Sequence, residues 1–465
     1  MPIPVSWPTC LLVGVLAIGR AWGADLTEGD LQEDGKALIH YAIHVPAGAA
    51  SGSVPTPAAD GRKPLGLFLC FHEHIQDVHA EGVHVVEALE RLHLVDDYVV
   101  IAPKASGAIQ NYTAGDRVGL GKLITWAQNA YPIDPRRIFI WGRGAGAQFG
   151  GVYALKHPDL IAGAILFSWG FQWEQKFADP QAMPDIYYAL GLKDLDTHVA
   201  KVRATYGLLR DFGLHIIYRE AAGFGGVTNH PATNDEAITW AHQTRHKTAP
   251  LAPADVAVLR TFSAVRAGGA TSADRFRKLV DIGGAQAGAV LAPFLSATEE
   301  HVRLAAIAAC AQALFGDEVA TTLGKALVDP SVRIRQAVIA ALTHQAIFRS
   351  APAQHALAGL ALSATADPGD RGLAVGGLVQ VLARQSEGAF QDVDLFATLV
   401  TLLGDRDAGL RSRVFAFLQP LHDSAYHPEA GEAERHAALT DWQTWVDGLR
   451  GNTGLGKHTG PMQKH

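Results

Sequence analysis

Cysteine is scarce, with three in 465 residues, at positions 10, 70 and 310. Cys10 lies in an N-terminal segment expected to be removed, Cys70 in an expected strand and Cys310 in a distant expected helix, which argues against a disulfide framework. Positive charge is also short. Lys and Arg number 39 against 46 Asp and Glu, a formal net charge of -7. With no basic stripe anywhere, nucleic acid is excluded as a partner, because phosphate binding needs clustered Lys and Arg. Long apolar runs are missing too. The run from Leu11 to Ile18 has eight residues, no later segment approaches the roughly 20 needed to cross a bilayer, and no membrane span is expected. What remains is globular: 48% hydrophobic and 18% charged residues place the chain outside the disordered class. At roughly 150 residues per unit, the length suggests two or three domains.

The apolar run is followed by Ala21-Trp22-Gly23, a small-x-small site before Ala24. Residues 1–23 therefore read as a signal peptide, and the mature protein as secreted or periplasmic. Its n-region lacks Lys and Arg, which leaves a buried or anchoring helix as the other reading. Residues 24–250 form the first expected domain. Within it, apolar runs at residues 37–46, 65–71, 98–103, 137–141, 162–167, 186–190 and 214–218 suit strands buried on both faces. Helical stretches between them, such as the one around residues 119–131, would supply the crossovers of a mostly parallel sheet.

Near residue 250 the pattern changes. Ala249 to Ala254 reads as a linker, and residues 251–449 show no convincing strand. Turns there lead into amphipathic helices carrying Arg303, Arg333, Arg371 and Arg411, spaced by about 30 to 40 residues. This resembles HEAT or armadillo-like repeats, whose helix pairs bury their apolar faces by stacking on their neighbours; an irregular bundle is the alternative. A last helix from Glu432 to Leu449 carries Trp442 and Trp445 on one face. Residues 450–465 are expected to be a disordered tail.

The strongest local signal runs from Tyr131 to Gly146. It reads as a turn (Ile133-Asp134-Pro135-Arg136), a buried strand (Arg137 to Trp141), and then Gly142-Arg143-Gly144-Ala145-Gly146 leading into a helix. Turn, strand, glycine-flanked tight turn and helix together form the architecture of the G-x-S-x-G nucleophile elbow. Over nearly half its length the chain resembles the α/β-hydrolases of the polyhydroxybutyrate depolymerase and feruloyl esterase type, in which an Asp-Pro-x-Arg turn precedes the elbow strand. The fold implied is α/β, an α/β-hydrolase with a mostly parallel sheet, followed by an all-α repeat domain.

On this resemblance the nucleophile position falls on Gly144, which has no side chain and cannot attack a carbonyl. The acid falls on Asp194 in Gly191-Leu192-Lys193-Asp194, with Asp196 as second choice, and the histidine on His230 in the loop from Gly223 to Pro231. The two form a residual dyad beneath the elbow. Oxyanion donors are implied near His72-Glu73-His74 and at Ala145, where related enzymes more usually place His-Gly. Arg143 either enters the cleft as an anion anchor or points to solvent. Trp169, Phe171 and Trp173 line an apolar or sugar-binding cleft, or pack in the core. His72, His74 and His79 also admit a metal reading, with one residue too many for the familiar His-x-His-x-Asp-His spacing. Ser168 and Ser106 follow strands but sit on no elbow.

Three readings follow. The first is a non-catalytic or atypical esterase-like protein that keeps its cleft for a small-molecule or polymer ester or carbohydrate-linked ligand, uses helical repeats for a protein partner and needs no cofactor. The second is an active carboxylic-ester hydrolase using water activated by His230 with Asp194, or metal-bound water. The third is an interaction scaffold. Fold alone does not separate them.

Overall fold

The computed structural model describes residues 26–452 apart from 48, 50–63, 75–76, 108–111, 222–223, 226–227, 247–255, 262–275, 277–278, 281, 283, 312–316, 349 and 385–391. The expected signal peptide, the linker and most of the tail lie outside the described residues. The chain divides into two compact units at Pro250/Leu251, with residues 217–220 grouping with the second.

The first unit is built on an eight-stranded sheet in the order β1-β2-β4-β3-β5-β6-β7-β8. Its strands are β1 (Thr27–Glu33), β2 (Lys36–His44), β3 (Leu65–Phe71), β4 (Tyr98–Pro103), β5 (Ile133–Arg143), β6 (Gly163–Phe167), β7 (Asp185–Gly191) and β8 (Ile216–Ala221). β2 runs antiparallel to both neighbours, whereas β4-β3-β5-β6-β7 are all parallel, in registers such as Phe71↔Gly142 and Arg143↔Phe167. This is the α/β-hydrolase arrangement. Central strands are buried throughout, Leu67 to Phe71 and Ile138 to Trp141 being fully so, which explains why their sequences are continuously apolar rather than alternating. Each Leu, Ile or Phe buried there contributes about 1.5–3 kcal/mol.

Among the described residues, five helices flank the sheet: α1 (His79–Arg91), α2 (Ala114–Ala130), α3 (Ala145–Lys156), α4 (Asp196–Asp211) and α5 (Pro231–Gln243). α1 packs on α5, and α3 packs on β5 and β6. α2 begins five residues before the expected stretch, set by a capping box in which Thr113 and Asp116 exchange side-chain and backbone bonds. The capping residues are present in the sequence; Gly115, Gly119 and Gly121 masked the helical pattern.

Two strand readings are corrected. β1 was not expected, because Thr-Glu-Gly-Asp-Leu-Gln-Glu buries only Leu31; it is an edge strand. The turn to β2 places Asp34 and Gly35 at φ 51° and 74°, the positive values that a two-residue Asp-Gly hairpin requires. The segment 133–136 read as a turn is the start of β5, where a register irregularity lies between Leu65 and Leu67 of the paired strand.

Apart from residues 217–220 of β8, the second unit is all helical among the described residues. It contains α6 (Gly284–Leu291), α7 (Glu300–Cys310), α8 (Asp317–Lys325), α9 (Val332–Ile347), α10 (Ala351–Leu362), α11 (Pro368–Leu382), α12 (Val393–Leu402), α13 (Ala408–Leu418) and α14 (Glu432–Asn452). Alternate helices stack: α7 on α9, α9 on α11 and α11 on α13 in one row, and α6, α8, α10 and α12 in another, with α14 closing on α12.

A ladder of arginines joins the first row. Arg303 bonds the carbonyls of Ala297 and Thr298 at 2.8 and 2.9 Å and pairs with Asp329 at 3.0 Å. Arg335 bonds the carbonyls of Asp329 and Pro330 at 3.0 and 3.3 Å and pairs with Asp370. Arg371 pairs with Asp405, and Arg411 bonds the carbonyls of Asp405 and Arg406 at 2.8 and 3.1 Å. The rung in α9 is Arg335 and not Arg333, which is 78% exposed. Sequence spacing alone favoured the wrong arginine because both sit near the same turn.

Arg371→Ala removes a buried cation from this ladder and is expected to cost roughly 3 kcal/mol, as broken buried pairs do. Arg333→Ala is expected to stay within about 0.5 kcal/mol of wild type. Urea unfolding of the full chain followed by helical circular dichroism checks both. Equal effects would sink the ladder as a stabilising device.

Candidate active site

β5 delivers the chain to a turn at Gly142–Gly146, and α3 leaves it. Gly144 has φ 52° and ψ -120°, a strained region that non-glycine residues occupy at a cost of about 1–3 kcal/mol. A β-carbon on Gly146 would lie 2.1 Å from the Phe71 carbonyl oxygen, and one on Gly142 2.5 Å from that of Gly146. Both flanking glycines are therefore required by close backbone approach. The Gly144 N–H donates to the Phe167 carbonyl at 3.0 Å.

Above this turn lies the loop after β3, and its Glu73 enters the elbow. The Ala145 N–H lies 3.2 Å from each carboxylate oxygen, and the His74 N–H donates to Oε1 at 2.8 Å. A β-carbon at position 144 would sit 0.9 Å from Glu73 Oε2. One carboxylate thus fills the place of a nucleophile's side chain and occupies the backbone donor that an oxyanion would use. The sequence marks His72-Glu73-His74 as a departure from the usual His-Gly, but does not show that the Glu73 side chain fills the space left at Gly144. The signal was the pairing of two departures, bulk gained at Glu73 and lost at Gly144.

His72 is buried and holds this loop. The Ala105 N–H donates to Nε2 at 3.2 Å, which places the ring proton on Nδ1, 2.8 Å from the Glu73 carbonyl oxygen. Its own N–H donates to the Tyr112 hydroxyl at 3.1 Å. Burial holds the imidazole below its usual pKa, against smaller opposing effects of the Glu73 carbonyl and neighbouring carboxylates. His79 is held by Asp77 at 2.7 Å and Glu28 at 3.3 Å. Both ring nitrogens of His72 are therefore engaged, and among the described residues no group of three or more His, Cys, Asp or Glu is placed to hold a metal.

Asp194 and His230 come to neighbouring loops beyond the strand ends. Phe224 adjoins both: its carbonyl accepts from Lys193 N–H at 3.0 Å, and its ring stacks on His230 with centroids 4.9 Å apart. His230 is also the N-cap of α5. Its Nδ1, the nitrogen an acid orients in a triad, lies 2.7 Å from Thr233 Oγ1 and accepts from the Thr233 N–H at 3.4 Å. Among the described residues, no hydrogen bond joins His230 to Asp194.

Arg143 takes neither position considered for it. It is fully buried, its Nε 3.0 Å from Glu81 Oε1, its Nη1 donating to the Thr228 carbonyl at 3.3 Å, and its guanidinium 4.4 Å from the centre of the Phe167 ring. Glu81, also fully buried, accepts from the Trp141 indole N–H at 2.7 Å and has His84 at 3.5 Å. Burial alone would raise the Glu81 carboxyl, but Arg143, then His84 and Trp141, hold it at about 2. No motif marked Glu81, because its partners lie about 60 residues away in sequence.

Trp169 is half-buried, with the Lys201 ammonium 5.1 Å from its ring centre and His198 edge-on at 4.4 Å. Phe171 is core, packed against Gly151, whereas Trp173 is half-buried. Ser168 is 1% exposed with φ 61°, and Ser106 is exposed and bonded to Thr113 at 3.2 Å.

The strand order and the elbow define the first unit as an α/β-hydrolase fold. No family model matches the chain, and no curated protein matches it. Solved structures similar to it include a thermostable esterase (18% identity, TM-score 0.37), with 48% of this chain and 63% of that chain covered. The chain thus spans just under two thirds of that esterase. Others are FphF, a fluorophosphonate-binding serine hydrolase of Staphylococcus aureus (14% identity, TM-score 0.35, 47% of this chain and 99% of that one), and a ferulic acid esterase (13% identity, TM-score 0.38, 47% and 96%).

Proposed function

We propose that the first unit is an esterase-like module that has given up serine acyl transfer and serves to bind a ligand, in an exported protein whose HEAT-like helical unit contacts a protein partner. The observation that carries this reading is Glu73, with its carboxylate 0.9 Å from where a side chain at position 144 would begin. An acyl group has no nucleophile to meet there, and the Ala145 donor is already engaged. Hydrolysis by water activated at His230 fits less well, since Nδ1 is committed to capping α5. Metal-bound water fits less well for a similar reason, with both nitrogens of His72 taken. The ligand follows the resemblance: a small molecule or polymer bearing an ester or a carbohydrate.

The test is direct. The full chain, incubated with a fluorophosphonate probe and assayed on p-nitrophenyl acetate, p-nitrophenyl butyrate and methyl ferulate, is expected to give no labelling and no turnover above buffer. Covalent labelling, or turnover lost on adding a chelator, would each overturn the proposal.

A further inference from the structure

An open cavity lies away from the elbow, with a volume of about 360 Å³ and walls of Val152, Lys156, Gln172, Trp173, Glu174 and Gln175. Val152 and Lys156 are one helical turn apart on α3, about 10 and 16 Å along its axis from Ala145 at 1.5 Å per residue. The other four residues belong to the segment after β6. The volume is in the range of small-ligand sites.

Its chemistry is specific. Trp173 is fixed before any ligand arrives: its indole N–H donates to the Gln175 carbonyl at 2.6 Å, and its ring stacks on Phe177 with centroids 5.5 Å apart. Phe177 in turn meets Phe212 edge-on. With its N–H spent, the indole offers apolar ring surface, whose electron-rich face attracts the weakly positive C–H groups of a flat aliphatic ring. Around it stand a primary amide at Gln172, a carboxylate at Glu174 and an ammonium at Lys156. All three are exposed, and among the described residues their side chains make no hydrogen bond or ion pair. Donors and acceptors of both signs set around a rigid aromatic suit a ligand that is hydroxyl-rich, neutral and carries a C–H face. We infer that this cavity is a binding site for a neutral oligosaccharide, separate from the elbow and independent of whether the elbow has any activity.

Titration of the full chain with cellohexaose, xylohexaose and mannohexaose, followed by calorimetry and tryptophan fluorescence, tests this. At least one is expected to bind, with dissociation constants between about 0.1 and 1 mM. Trp173→Ala is expected to weaken binding by about tenfold or more, and Trp173→Phe, which keeps the ring, by about threefold. Val152→Arg supplies an independent block: it fills the cavity from a partly exposed helix position and is expected to abolish binding without touching Trp173. No binding of any of the three sugars overturns the inference. So does binding that survives both Trp173→Ala and Val152→Arg.

Discussion

Gly144→Ser alone is expected to remain silent toward a fluorophosphonate probe, whereas Gly144→Ser combined with Glu73→Gly is expected to be labelled. The reason is steric before it is chemical. In the single variant the new β-carbon falls 0.9 Å from Glu73 Oε2, so the carboxylate must leave. Leaving costs its bonds to the Ala145 and His74 N–H groups, each worth roughly 1.5–3 kcal/mol as a bond to a charged group. Serine at φ 52° adds about 1–3 kcal/mol of backbone strain. Removing Glu73 in the same chain clears the space and returns the Ala145 N–H to an incoming oxyanion, a donor worth about 10²–10³ in rate. Labelling of the double variant at least about tenfold above the single one is the expected result. Turnover of esters should stay far below labelling, because His230 Nδ1 faces Thr233 and a histidine without its orienting acid loses about 10⁴ in rate. Equal labelling of both variants would show that Glu73 moves aside freely and is no plug.

The fold was legible in the sequence to the extent that burial is local. β3, β4 and the apolar part of β5 could be read because strands covered on both faces are apolar at every position. The elbow could be read because Gly142 and Gly146 answer to backbone contacts that only glycine permits. β1 could not, since an edge strand with one buried residue leaves no pattern; its Asp34-Gly35 turn was the available cue. The site was legible by address and not by state. Asp194 and His230 fall on loops that meet at Phe224, yet the engagement of His230 with Thr233 depends on a rotamer that no spacing encodes. Arg143 shows the same limit. Its neighbours on the chain are elbow glycines, and its burial is decided by Glu81, on a helix that precedes it by two strands.

That pair carries the second large effect. Glu81→Gln is nearly isosteric but leaves the Arg143 guanidinium buried without a counter-charge, and is expected to cost about 3–5 kcal/mol of stability. Replacing both, Glu81→Leu with Arg143→Met, removes the charge and its solvation cost together and is expected to come within about 1–2 kcal/mol of wild type. The pH dependence gives an independent reading. Glu81 is held at about 2 in the folded protein against an ordinary value of 4.5. Its folded pKa is depressed, so the stability it contributes is fully present above pH 4.5 and is lost as pH falls from there toward 2. The amount is on the order of 3 kcal/mol at 1.36 kcal/mol per unit. Urea midpoints for wild type and Glu81→Gln should therefore differ most above pH 5 and converge as pH falls from 4.5 toward 2, a window in which the double variant, lacking this carboxyl, loses no stability on its account. A constant gap between wild type and Glu81→Gln across that window would mean that the two side chains act through shape rather than charge. The consequence reaches the site, because Arg143 also bonds the Thr228 carbonyl at 3.3 Å, two residues before His230. Loss of Glu81 should thus loosen the elbow and the histidine loop together, and fluorophosphonate labelling of the Glu73→Gly, Gly144→Ser protein should fall when Glu81→Gln is added to it.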